Sequence, residues 1–504
     1  MYKTFACALL VAFLGVTIGP VHADADLSIT QKVPHPVAGG VPWNAHDIAL
    51  LRQQIDRLIA TAPTLHGGHV GLLAVDTTRG TTLYSRNADD EFQPASNFKL
   101  LVGSASLEKL GTAFTFVTQA LSSGTVADGT LTGDLYLRGG GDAHLTAKDL
   151  DAAAAAIAAA GIARITGSVI GDATRYDNRR LPEGWDWDDL PFYYAPPISA
   201  LDLEENVIHA YMTPGNDVGA PVSLRVYPTT TAFTFDNRLT TGEANSKDTS
   251  DNTHPWDRPR TIRLVGTIPL GAKESGDIEA AVPDPAEYAV DVFTKALAAH
   301  GITVLGAEQT GGQAPATAQV VWTHASEPMP QLMADFWWPS DNLMGELFIK
   351  ELSVAAGSNP GSDVGGAAFE CRWLASIGVD PKTISISDGS GLSNYDRITP
   401  RAWVTILDHD WNGPNREVIL DALPVAGIAG TLRRSFIGTP AEKNVWAKTG
   451  SISHVRTITG FIRTRRHGAV SFSFLLDDWN EDASGATAGL NKLRGAVLST
   501  FVTN

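Results

Sequence analysis

Ser96-Asn97-Phe98-Lys99, Ser340-Asp341-Asn342 and Lys448-Thr449-Gly450 follow one another along the chain, and their residue types suit acyl transfer. A serine hydroxyl is a poor nucleophile until a neighbouring base takes its proton. The i, i+3 spacing puts Lys99 on the same helix face as Ser96, within reach of that proton. Lys99 can act as a base only while neutral. Burial would lower its pKa, and so would a second cation nearby, for which Lys448 is the candidate. Ser340 and Asn342 would relay a proton to the leaving group and hold the substrate amide. Lys448, Thr449, Gly450 and the following Ser451 lie on a strand able to bind a carboxylate and an acyl oxygen. Backbone N–H groups of Ser96 and Ser451 would form an oxyanion hole, worth roughly 3–4 kcal/mol per donor in other enzymes.

Two of the motifs are duplicated. Ser106 and Lys109 repeat the serine–lysine spacing, but Ser106 lies ten residues into the same helix, away from the N–H groups and dipole that favour Ser96. Ser250-Asp251-Asn252 repeats the second motif inside a polar run, 242–255, and reads as loop filler. Ser340-Asp341-Asn342 instead opens an amphipathic stretch, although these three residues also suit a plain helix cap. Competing signatures are missing. The thirteen histidines include no His-Glu-x-x-His and no metal-ligand spacing, so we expect no metal and no cofactor. Gly389-Ser390-Gly391 lacks the nucleophile-elbow pattern, and Gly139–Gly141 lacks a following Gly-Lys-Ser/Thr.

Residues 1–23 read as a secretory signal: Lys3, an apolar run from Phe5 to Ile18, then Val21-His22-Ala23 ahead of a cut before Asp24. Cleavage takes Cys7 and leaves Cys371 alone, so no internal disulfide is possible. Cys7 is not preceded by the apolar stretch of a lipoprotein signal, and no later segment suits a bilayer span, so no stable membrane anchor is expected. Losing Lys3 takes the formal charge from −17 to −18, which disfavours binding to nucleic acid or an anionic membrane. Taking 23 from 504 leaves 481 residues, enough for two or three domains.

The elements that would position the motifs are visible in periodicity. We expect a helix over 44–61, a hairpin of strands 69–76 and 81–85, and a helix entered at Pro94 and running through Leu110. From 114 to 321 short strands and turns dominate, with one alanine-rich helix near 149–160 and a polar loop at 240–259. Helical spacing resumes after Met329, through Phe336, Leu343, Leu347 and Phe348. Strands 445–449, 455–464 and 469–476 form a meander before a terminal helix at 484–501. The hairpin and the meander are expected to share one sheet. This gives an α+β fold with a discontinuous catalytic domain, 24–113 and 322–504, and one or two inserted strand-rich domains at 114–321.

The chain resembles the low-molecular-mass class C penicillin-binding proteins, the D-alanyl-D-alanine carboxypeptidase/endopeptidase family. Beyond the three motifs, the resemblance rests on Gly133–Leu137 with Gly139–Asp142, Gly184–Asp189, Tyr194-Ala195-Pro196, Asp388–Ser393 and Gly430-Thr431-Leu432. It implies a penicillin-binding/β-lactamase-like fold and cleavage of peptidoglycan stem peptides outside the cytoplasmic membrane, in the periplasm or an equivalent extracytoplasmic space, with β-lactams as inhibitors. Ser96 would be the nucleophile, Lys99 and Ser340 proton-transfer residues, Asn342 a positioning residue, and Lys448 with Thr449 the carboxylate site. Likeness around Gly171–Gly184 suggests Asp172 and Tyr176 as groove residues, against a plainer reading as a structural acid and a core tyrosine. A β-lactamase or esterase of this fold would need a deacylating group, and Glu346, Glu351 and Glu370 lie between the second and third motifs. Helix glutamates are ordinarily solvated surface. A catalytically silent wall-binding protein is the remaining alternative.

Overall fold

The computed structural model describes residues 33–504 except 63, 64, 66, 256, 274, 481–484 and the side chains of 275–277, so the expected signal segment lies outside the described residues. Asn44 caps the first helix, Ala45–Ala60, by accepting the Asp47 N–H at 2.9 Å. Its Leu51, Ile55 and Ile59 fall on one face and are buried. They pack with Leu490, Val497 and Phe501 of the last helix, Ala486–Thr503, against a sheet that joins the two ends of the chain.

That five-stranded sheet runs in the order Thr82–Arg86, His69–Asp76, Ala469–Asp477, Val455–Arg463, Val445–Ile452, antiparallel throughout. The hairpin and the meander thus share one sheet, as expected. Strand His69–Asp76 is buried along seven of its eight residues, because helices cover both faces. Helix Pro400–Asn412 lies against its second face, a helix that the serine-bearing motifs gave no reason to look for. Val445–Ile452 is the edge strand, which leaves one row of its backbone groups outside the ladder.

Between the halves of this sheet the chain builds several smaller ones. A five-stranded sheet contains Gln309–Thr310, Val169–Asp172, Leu135–Arg138, Val117–Ser122 and Gln319–Ala325. Helices Ala147–Ala159 and Pro285–Ala299 pack on it through a core that includes Leu137, Leu150, Ile157, Val290 and Phe293. The second of these helices goes beyond the single one expected in the region. Asp284 caps it and Pro285 occupies its first turn, a start signal that the surrounding short strands obscured. Strand Gln319–Ala325 pairs antiparallel with 117–122 across a bulge between Val320 and Trp322, ending at Ala325 opposite Val117. Residues 321 and 322, at the expected boundary, both lie inside this strand. The polar 240–259 stretch also holds strands, Thr240–Gly242 and Asp251–Thr253.

Candidate active site

Pro94 leads into a single 3-10 turn, Ala95–Phe98, that continues directly as the helix Lys99–Leu110. Ala95 is held at φ 47°, a left-handed backbone that costs a non-glycine residue on the order of 1–2 kcal/mol. The surroundings enforce it. Phe98 and Asn97 are buried, and Asn97 Nδ2 donates to Thr459 Oγ1 at 2.8 Å, pinning the turn to the sheet. Thr457 Oγ1 donates to Pro94 O, also at 2.8 Å. Ser96 is left half-buried at the mouth of this anchored turn.

Lys99 is fully buried. Its Nζ donates to Ser96 Oγ at 2.9 Å, to Asn342 Oδ1 at 2.6 Å and to the carbonyl of Ser390 at 2.8 Å. Asn342 is oriented in turn by donating from Nδ2 to Tyr194 O at 2.7 Å. Burial lowers the Lys99 pKa to about 8, against the opposing pull of Asp388, Asp341 and Glu346. A base poised there is partly neutral at physiological pH.

Ser340 sits at φ 70°, a second left-handed residue at the site, just ahead of Asp341. Asp341 caps helix Asn342–Ala355 by accepting the Met344 N–H at 3.0 Å. The capping role and the motif role hold at once. Lys448 Nζ donates to Ser340 Oγ at 2.8 Å and to Thr449 O at 2.9 Å. Thr449 Oγ1 donates to Thr431 Oγ1 at 2.8 Å. Lys448 is fully buried and its pKa lies well below the ordinary value, first through burial and then through repulsion from Lys99. Lys448 was expected to depress Lys99. The two lysines titrate as a pair: burial is the first cause of the lowering in both, and their mutual repulsion adds to it.

Gly450 explains how the third motif reaches the first. A Cβ there would stand 2.2 Å from Thr457 Oγ1 and 2.5 Å from Pro94 O, so only glycine lets the edge strand close on the serine turn. Ala447 N–H points away from the sheet, donating to Pro424 O at 2.9 Å. Backbone direction alternates along a strand, so Ser451 N–H faces the same open edge.

Two buried acids, Asp388 from the segment 388–393 and Glu346, hold the third partner of Lys99. Asp388 accepts from the backbone N–H groups of Ser390, Gly391 and Ser393, from Ser390 Oγ, and from Trp185 Nε1. Glu346 accepts from Gly389 and Ser390 N–H groups. Together they fold 388–393 so that the Ser390 carbonyl points at Lys99. Asp388-Gly389-Ser390-Gly391 is an acid followed by a glycine-rich turn, and that was the only signal in the sequence. Glu346, Glu351 and Glu370, expected as solvated helix surface, are all buried. Burial raises Glu346 and Glu370 well above the usual carboxyl range.

The duplicates separate cleanly. Ser106 is buried with no hydrogen-bond partner for its hydroxyl, while Lys109 is exposed and lies over the Phe369 ring. Asn252 of the second Ser-Asp-Asn is no loop filler: it sits on a strand, buried, and donates to Pro191 O at 2.6 Å. Asp172 and Tyr176 are not brought to the cluster. Asp172 accepts from Thr174 and from Ala314 N–H, and Tyr176 donates to Glu351 Oε2 at 3.0 Å, both inside the protein. Asp172 closes a turn, and Tyr176 joins its own segment to helix 342–355.

A serine hydroxyl held by a fully buried lysine, beside an open sheet edge, is an arrangement of the kind that serine acyl-transfer enzymes use. The fold is that of penicillin-binding protein 4 (dacB) from Haemophilus influenzae, whose crystal structure matches with a TM-score of 0.79 at 24% identity, covering 88% of this chain and 97% of that one. The chain belongs to the D-Ala-D-Ala carboxypeptidase 3 (S13) family, whose sequence profile it matches over residues 51–494. Its relatives include a D-alanyl-D-alanine carboxypeptidase of Actinomadura sp. strain R39, 33% identical over 84% of this chain and 80% of that protein. Another is the D-alanyl-D-alanine carboxypeptidase DacB of Haemophilus influenzae, 25% identical over 81% of this chain and 85% of that one.

Proposed function

We propose that Ser96 takes the acyl group from the D-Ala-D-Ala end of a peptidoglycan stem peptide, and that the roles divide as follows. Neutral Lys99 accepts the Ser96 proton as Oγ bonds to the carbonyl carbon of the penultimate D-alanine. The developing oxyanion is met by the N–H groups of Ser96 and Ser451. Ser340, hydrogen-bonded to Lys448, relays to the departing amine the proton that left Ser96, so that as the C–N bond breaks Ser340 is again a hydroxyl and Lys99 again neutral. Water then cleaves the ester and restores Ser96. Lys448, Thr449 and the N–H-bearing edge around Gly450 hold the terminal carboxylate. If the departing amine belongs to a neighbouring stem, the same steps make an endopeptidase. In a β-lactam the amine stays tethered after ring opening, so the ester persists as a penicilloyl adduct. The substrate lies outside the cytoplasmic membrane, in keeping with the leader-like 1–23. Among the described residues no helix is long and apolar enough to cross a membrane.

The observation that carries this reading is Lys99 Nζ held at once by Ser96 Oγ and Asn342 Oδ1 inside a dry cluster. Intact mass after incubation with penicillin, followed by peptide mapping, tests it. An adduct on the Ser96 peptide, together with release of D-alanine from a D-Ala-D-Ala peptide, is expected. Rapid loss of the adduct with poor peptide turnover would favour the β-lactamase or esterase reading. Neither adduct nor turnover would favour a silent wall-binding groove.

A further inference from the structure

His144, Glu205 and Asp341 come from three segments far apart in the sequence, and their ligand-capable atoms lie within 4.8 Å of one another. His144 follows the Gly139–Asp142 turn, where its backbone N–H donates to Asp142 Oδ1 at 3.1 Å. Glu205 sits in a run of three left-handed residues, Glu204 to Asn206, which ends the approach to strand Val207–Thr213. Asp341 is the cap of helix Asn342–Ala355, so one of its oxygens is already committed to Met344. Each donor is therefore carried by anchored backbone. Asp335 and Asp142 also bear on His144, so the surroundings carry an excess of negative charge.

We infer that His144, Glu205 and Asp341 form a zinc site that ties the inserted region to the loop bearing Ser340 and Asn342. One imidazole nitrogen with two carboxylate oxygens suits a borderline first-row cation better than magnesium or calcium, which take oxygen ligands. Zinc bonds such ligands at about 2.0–2.2 Å, so tetrahedral ligand atoms sit about 3.4 Å apart. Closing from at most 4.8 Å to that spacing takes side-chain rotation. Three protein ligands leave a fourth position for water. The site lies beside the acyl-transfer machinery without including Ser96, Lys99 or Lys448, so it is a tether and not a participant in the proposed reaction. It was invisible in the sequence, where no histidine spacing marks it.

The test uses the whole exported protein, stripped with chelator and titrated with zinc against a chromophoric competitor. One equivalent is expected to bind, with a rise in Tm that saturates at that equivalent. His144→Gln and Glu205→Gln should each weaken binding at least tenfold while still labelling with penicillin. His35→Gln serves as the control, because His35 lies between Glu417 at 3.0 Å and Asp421 at 3.1 Å on the surface. Binding that vanishes in the His35 variant, or that is unchanged in the other two, overturns the site. Cobalt loaded into the unmutated protein gives a reading free of folding effects. Intense d–d bands of a four-coordinate nitrogen–oxygen site are expected, and a spectrum of hexa-aqua type would overturn the proposal.

Discussion

At the scale of single residues, two lysines of one cluster are both fully buried and both lowered by that burial, and their different contacts, Ser96 for one and Ser340 for the other, set their different duties. Lys99 at about 8 is about one-tenth neutral at pH 7 and half neutral near pH 8, so acylation should climb with pH and level off above 8. Asp388 pulls that value up, so Asp388→Asn should move the acid limb to lower pH. Lys448→Ala removes a neighbouring cation and should move the limb to higher pH, while also weakening the hold on carboxylate-bearing substrates. Rates of penicillin acylation measured from pH 5 to 9 check both shifts, and a limb unmoved in a folded Lys448→Ala would contradict the coupling and leave Lys99 lowered by burial alone. The choice of serine is separable from this. Ser96→Ala should abolish labelling, whereas Ser106→Ala removes a buried hydroxyl with no partner and should leave labelling intact with stability unchanged or slightly raised.

At the scale of elements, the site depends on how closely the edge strand 445–452 meets the turn 95–98. Gly450→Ala forces a methyl to within 2.5 Å of Pro94 O, so the strand must retreat from Ser96. Acylation should fall at least a hundredfold, since misplacing a reacting group by about 1 Å costs that much, while Tm changes by only a few degrees. Beneath the turn, helix Lys99–Leu110 meets helix Pro400–Asn412 through Ser104 Oγ, which donates to Asp410 Oδ2 at 2.7 Å. Burial raises Asp410 to about 7. The folded protein keeps that proton from the ordinary carboxyl range near 4 up to about 7, whereas the unfolded chain loses it. Stability therefore declines as pH rises through this window. Asp410→Asn should raise Tm at pH 8 and leave it nearly unchanged at pH 4, by thermal melts at both.

At the scale of the whole molecule, the inserted region is fastened to the catalytic helix 342–355 by Arg175 and Tyr176, both bonded to the buried Glu351. Those contacts make the region part of the support for Asn342. Arg175→Ala leaves the Glu351 carboxylate with the Tyr176 hydroxyl as a remaining donor and should cost about 1–3 kcal/mol, below the range for a fully buried pair because Arg175 is 37% exposed. Penicillin acylation and peptide hydrolysis should then fall together. A loss confined to cross-linked peptides would instead mark 175–176 as a substrate contact.

The chemistry and the main sheet were legible in the chain because both are written in local patterns. Ser96 with Lys99 is a one-turn spacing, and strands 69–76, 455–463 and 469–477 are runs that alternate or stay apolar at strand length. Strand-bearing ends separated by a long turn-rich stretch also pointed to one interrupted sheet. What side chains do once buried is set by residues hundreds of positions away, and no local pattern records it. Asp388 and Glu346 look like a turn acid and a surface glutamate until folding brings both under Lys99. The same holds for Lys448, lowered first by burial and then by Lys99, and for His144, Glu205 and Asp341, which share no spacing. Local periodicity decided which elements form and which residues could react; only the packing of those elements decided where water is excluded, and with it every charge state at the site.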